Sequence, residues 1–189
     1  MTKTKQQSFA QILAERLNIK NPHAVPRIVK VVVNVGVGKH QDEKPYLEAV
    51  AKDLAIITGQ KPQERRSRKA IAAFKVREGS LVGYRVTLHG KRMDDFVQRF
   101  INITLPRVRD FRGISATSFD GRGNLSVGIR EQLAFPEIIA DQTDVIFGAE
   151  VTFVTSVDND EQGKQLFDAL GFPFIKPDED SPSGLLDRI

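Results

Sequence analysis

The chain contains no cysteine, which excludes disulfides, thiol nucleophiles and zinc ribbons. Its three histidines, His23, His40 and His89, fall in separate segments with no i, i+4 pair, so no metal site is expected of them. No apolar run approaches the ~20 residues that a membrane helix needs. The opening stretch MTKTKQQSFAQILAERL has no continuous apolar signal core, because Glu15 and Arg16 interrupt it. A soluble cytoplasmic protein with no membrane partner is expected. Acidic residues are scarce over most of the length: residues 1–130 hold 25 Lys and Arg against 11 Asp and Glu, a net +14. Residues 131–189 reverse this with 3 against 13, a net −10. A basic body with an acidic end suits a polyanion on one face. Anionic lipid fits less well, since no basic amphipathic helix with an aromatic face is present.

The basic charge is densest in RRSRKAIAAFKVREG, from Arg65 to Gly79, where six cations meet one acid, Glu78. This stretch has no clean helical or strand period, and a loop so long is uncommon in a compact domain unless it is functional or disordered. A solvated basic loop would look the same. Phe74 inside it is expected to pack inward as an apolar anchor.

Periodicity supplies the elements. Residues 8–18, with Phe9, Ile12, Leu13 and Leu17 at helical spacing, read as a short helix. RIVKVVVNVGVG reads as a strand from about Ile28 to Val35, with Val29, Val31, Val33 and Val35 on one face and Lys30, Val32 and Asn34 on the other. Residues 44–58 form an amphipathic helix closed by Gly59. Lys61 to Arg66 could form a short strand. After Gly83, Tyr84, Val86 and Leu88 alternate with Arg85, Thr87 and His89, a second strand with the same division. Asp94 or Asp95 opens a helix carrying Phe96, Val97, Phe100 and Ile101, stopped before Pro106. PRVRDFRG is a second basic segment. SFDGRGNLSVGI reads as a hairpin turning at Asp120-Gly121, and QLAFPEII as loop or helix. EVTFVTSV is a strand, and Asp160 to Leu170 a helix capped by Gly171. The sum is an α+β fold: a largely antiparallel sheet, helices packed on one face, and a long basic loop. Residues 1–176 read as a single domain and 177–189 as an acidic, frayed tail.

Enzymatic chemistry finds no support. Gly36-Val37-Gly38 starts like a dinucleotide fingerprint, but position 41 is Gln and Pro45 precedes any helix. Asp158 to Glu161 lack calcium-loop spacing and better suit a helix cap. No cofactor is expected. What remains is a face bearing Lys30, Asn34, Arg85, Thr87 and His89, if both strands share a sheet. Its donors suit phosphates, 2′-hydroxyls and base edges of folded RNA.

VPRIVKVVVNVGVG, ITGQKP, SRKAIAAFKVREG, YRVTLHGKRM, LPRVRDFRG, SFDGRGN, REQLAFPEI and LGFPF occur in that order. Together they closely resemble the bacterial-type large-subunit ribosomal protein family that binds 5S ribosomal RNA, over residues 8–176. The resemblance implies a non-enzymatic constituent of the large subunit that binds 5S rRNA and helps form the central protuberance. It implies 5S contacts at Asn34, Gln60 and Thr87, with Lys30, Arg85 and His89 on the same face. It implies a basic loop reaching peptidyl-site tRNA, here Arg68, Lys69, Phe74, Lys75 and Arg77. Large-subunit rRNA and neighbouring ribosomal proteins of both subunits at the central bridge are the other implied partners. Arg65, Ala70 and Ala73 stand where the family usually has Thr, Ser and Gly. The alternatives are a nucleotide-dependent enzyme built on Gly36 and Gly38, and a general RNA chaperone.

Overall fold

Strand β1, Ile28–Gly36, is a β-branched run that pairs on both sides, and it forms the middle of the sheet. The computed structural model describes residues 19, 21–139, 143 and 145–175. The expected helix over 8–18 and the tail from 177 onward lie outside the described residues. Besides β1, the strands are β2 (Gln63–Arg66), β3 (Leu81–Leu88), β4 (Leu125–Ile129) and β5 (Ala149–Thr155), in spatial order β2-β3-β1-β5-β4. Every pairing is antiparallel.

The register makes one face apolar throughout. Val31, Val33 and Val35 oppose Leu88, Val86 and Tyr84 on one side, and Val31 and Val33 oppose Phe153 and Val151 on the other. All are buried. Val29 departs from the expected parity and is exposed, because the β1–β5 register shifts between Ile28 and Lys30 and takes Val29 off the apolar row.

Three helices cover that face. Helix α1, Lys44–Thr58, buries Leu47, Val50, Leu54 and Ile57, and ends where Gly59 turns left-handed at φ 64°. Helix α2, Gly90–Arg99, buries Met93, Phe96 and Val97. It starts earlier than either aspartate and does not stop before Pro106. A wide turn over Phe100–Thr104 carries it on, with the Leu105 N–H donating to the Phe100 carbonyl, and a last turn runs Leu105–Arg107. The wider turn moves the chain off the regular ladder before the proline, whose missing N–H would otherwise break it. Helix α3, Asp160–Leu170, has Asn159 as its N-cap, accepting from the Glu161 N–H, and Gly171 (φ 90°) after its end. Phe100, Phe135, Phe153, Phe167 and Phe172 join sheet to helices in one aromatic core, with ring centroids 5.0–6.3 Å apart.

Two connections, the hairpin at Asp120-Gly121 and the basic stretch, differ from expectation, while QLAFPEII fits its reading as loop or helix. The hairpin at Asp120-Gly121 has only one regular strand, β4, its other arm being a single bridge from Phe119 to Leu125. QLAFPEII holds a short 3-10 turn, Gln132–Ala134. The basic stretch is likewise no free loop. Its first arginines, Arg65 and Arg66, belong to β2, and residues 67–80 continue the β2–β3 hairpin. Ser67 and Ser80 keep the ladder going, Ile71 and Val76 form a bridge, and Ala72–Phe74 make a tight turn.

Candidate nucleic-acid interface

The face opposite the helices carries the polar half of each strand. Its central row runs Gln63, Arg85, Asn34, Glu150, Gly128 across all five strands. The next row runs Thr87, Val32, Thr152, Ser126, and beyond it Lys30 lies opposite Val154. Asn34 and Arg85 are direct cross-strand neighbours, as are Val32 and Thr87. Asn34 is exposed, while Lys30, Arg85 and Thr87 are half-buried. His89 follows the end of β3, exposed, with Nδ1 3.3 Å from the Val29 carbonyl oxygen. The five sheet residues expected from parity thus share one surface.

Gln60 reaches this surface from the end of α1. Its Nε2 donates to the Thr87 carbonyl at 3.3 Å, beside the point where β2 begins at Gln63 opposite Arg85. Thr58 prepares the turn, its hydroxyl lying 2.7 Å from the Leu54 carbonyl and 3.1 Å from that of Gln60. At the other end of the face, Gly36 leaves bare backbone, with nothing within 4 Å of where a Cβ would stand. Gly83, its neighbour across the ladder, is required sterically: a Cβ there would lie 2.8 Å from the Val35 carbonyl oxygen.

Sequence reasoning missed four polar residues of this face, Gln63, Ser126, Glu150 and Thr152. The Ser126 and Thr152 hydroxyls are hydrogen-bonded to each other at 2.9 Å. The alternation of EVTFVTSV does separate Glu150 and Thr152 from Val151 and Phe153. What it lacks is any sign that β5 lies next to β1, because that pairing joins residues more than 100 positions apart.

Arg68, Lys69, Lys75 and Arg77 stand out from the β2–β3 connection, all four exposed. Phe74 does not pack inward; it is 73% exposed. The turn explains this. Ala72–Phe74 closes with Lys75 left-handed at φ 53°, which holds Phe74 at the tip, beyond the reach of the core. Gln41 steadies the tip, its Nε2 donating to the Lys75 carbonyl at 3.0 Å. A hairpin tip with a bare phenyl ring among cations suits stacking on a base or ribose and neutralising phosphate.

The other candidate chemistries find no geometry. After Gly36 the chain makes a short turn, Gly38–His40, and α1 opens only at Lys44, so no helix N-terminus faces the glycines. Asn159 caps α3, accepting from the Glu161 N–H at 3.0 Å, and Asp160 accepts from the Gly121 and Gly123 N–H groups of the neighbouring turn at 3.1 and 2.6 Å. Among the described residues no acid and histidine group could hold a metal ion, and no helix is long and apolar enough to cross a membrane.

Comparison with known proteins agrees with this geometry. Residues 21–77 match the family described as Ribosomal protein L5, and residues 81–174 match the model of the C-terminus of the same ribosomal family. The large ribosomal subunit protein uL5 of Rubrobacter xylanophilus is 53% identical over 168 residues, covering 89% of this chain and 93% of the relative. Two Prochlorococcus marinus uL5 proteins, of strains MIT 9515 and MIT 9215, are 52% and 51% identical over 86% and 90% of this chain and 91% and 95% of theirs. The chain belongs to the ribosomal protein L5 family and is a structural, non-enzymatic constituent of the large ribosomal subunit.

Proposed function

We propose that the open sheet face binds 5S ribosomal RNA and so helps to build the central protuberance, in the ribosome of the cytoplasm. The observation that carries this is the Gln63–Arg85–Asn34 row with Thr87 and Gln60 beside it. Short amide and hydroxyl side chains let a folded RNA come close, and the flanking cations meet its phosphates. Lys30 and His89 extend the same surface. The β2–β3 tip, with Arg68, Lys69, Phe74, Lys75 and Arg77, contacts peptidyl-site tRNA. Large-subunit rRNA and neighbouring ribosomal proteins of both subunits at the central bridge complete the partners. Residues 1–176 work as one RNA-binding domain, a reading supported by one apolar core drawn from both matched segments.

Asn34→Ala with Thr87→Ala tests the face. Each lost hydrogen bond costs about 0.5–1.5 kcal/mol, so the pair weakens 5S binding by about 1–3 kcal/mol. Circular dichroism stays unchanged, since neither side chain belongs to the core. Titration of 5S rRNA against an unrelated hairpin is the measurement. Unchanged 5S affinity in the double variant removes the face from the reading, and equal affinity of the wild type for both RNAs makes the protein a general RNA chaperone.

A further inference from the structure

We propose that Glu150 sets the specificity of the open face, its carboxylate accepting the imino and amino hydrogens of an unpaired guanine; this rests on reading the face as an RNA platform. Glu150 lies on β5, level with Asn34 on one side and Gly128 on the other. It is exposed, and among the described residues no hydrogen bond or ion pair joins it to another group. Arg85, on the far side of Asn34, does not pair with it, and the Arg85 Nε is buried without a partner among the described residues. Adjacent strands are about 4.8 Å apart, so Arg85 and Glu150 flank Asn34 across roughly 10 Å. Ser126 and Thr152, in the next row, engage each other. Gly128 leaves the other side of Glu150 open, with nothing within 4 Å of a Cβ built there.

A carboxylate on a polyanion-binding surface repels phosphate at every approach, so it lowers affinity for RNA at large. It is an acceptor only. The donors RNA offers are 2′-hydroxyls, one on every nucleotide, and base N–H groups. Guanine alone presents an imino and an amino N–H side by side on its Watson–Crick edge, spaced to meet two carboxylate oxygens. That edge is free in loops and bulges, where bases can be splayed out. The row Arg85, Asn34, Glu150 then reads as donor, donor and acceptor, acceptor. Phosphate fits its first end and is rejected by its last. A wrong RNA meets the repulsion without the compensating bonds.

The test is Glu150→Gln in the full chain, titrated with 5S rRNA and with an unrelated hairpin at one salt concentration. Charge alone makes the variant bind both RNAs more tightly and by the same factor. The proposal expects about a ten-fold loss on 5S rRNA, in line with one good bidentate base contact, and at most a few-fold gain on the hairpin. Kethoxal, which reacts with guanine at N1 and N2, supplies the second readout. Wild-type protein shields a guanine that the variant leaves reactive, while hydroxyl-radical protection of the RNA backbone is unchanged. Equal or tighter 5S binding by the variant, or identical kethoxal patterns, overturns the assignment to Glu150 and leaves the RNA platform standing. A wild type that prefers neither RNA takes down both.

Discussion

Asp53 on α1 is a carboxylate at 7% exposure whose Oδ2 has no hydrogen-bond partner among the described residues. Burial raises its pKa above the ordinary carboxylate value, against the opposing pull of Lys52 and a hydrogen bond with Gln132. Gln132 is itself fully buried, accepting from the Phe147 N–H at 2.8 Å and donating to the Val145 carbonyl. A carboxyl whose pKa is raised on folding holds its proton more tightly in the folded state. Its contribution is therefore most favourable below the ordinary carboxylate range and is lost as pH rises through the raised value. Asp53→Asn keeps the shape and removes the charge. Relative to wild type, the variant's melting temperature should rise at pH 7 and converge towards it as the pH falls to about 4. Melts across that range check it; a variant less stable at every pH would mean that the carboxylate stabilises the fold as a hydrogen-bond acceptor.

At the scale of elements, α3 and the turn before β4 are built against each other. Asp160 opens the helix and takes two backbone N–H groups of the turn, Gly121 and Gly123. Asp120 closes the turn from inside, accepting from the Arg122 and Asn124 backbones and from Asn124 Nδ2. Burial alone would raise the Asp120 pKa, but these bonds outweigh it and the value is lowered. The helix comes so close that a Cβ on Gly163 would lie 2.7 Å from the Gly123 carbonyl oxygen and 2.8 Å from its Cα. In an open helix Gly→Ala gains about 1 kcal/mol. Here both obstacles are backbone, so Gly163→Ala should destabilise by about 1–3 kcal/mol, read as a lower denaturant midpoint at unchanged m-value. A stabilised variant would show that the turn gives way easily. Local patterns foretold α1 and its glycine, α3 and its cap, and the polar parity of β1 and β3, because each is decided within one turn of helix or one strand. They did not foretell Glu150 beside Asn34, Gly163 against Gly123, or α2 running past Pro106. Those depend on which distant segments meet, or on how the chain relaxes around a missing N–H, and neither leaves a period behind. Phe74 misled for a related reason: apolar character argues for burial, but a tight turn at the far end of a hairpin has no core within reach.

Over the whole molecule, the sheet face spans five strands, and the β2–β3 tip is a separate charged surface at the end of one of its hairpins. Val76 lies nine residues from Arg85 along the chain, so the tip extends up to about 30 Å from the central row. Exposed charges further apart than about 8 Å act almost independently at physiological ionic strength. The two surfaces should therefore fail separately. Arg68→Ala, Lys69→Ala and Arg77→Ala together should leave 5S affinity within about two-fold at that salt. The same variant should bind tRNA in assembled large subunits more weakly, with a salt slope flatter by about 2–3 if all three cations meet phosphates. Asn34→Ala with Thr87→Ala should do the reverse, lowering 5S affinity while keeping the tRNA slope in whatever subunits assemble. Gln41→Ala distinguishes placement from charge: it removes the bond to the Lys75 carbonyl and no cation, so tRNA affinity should drop with the slope intact. Loss of 5S binding in the triple loop variant, at physiological salt, would mean that tip and face form one continuous surface.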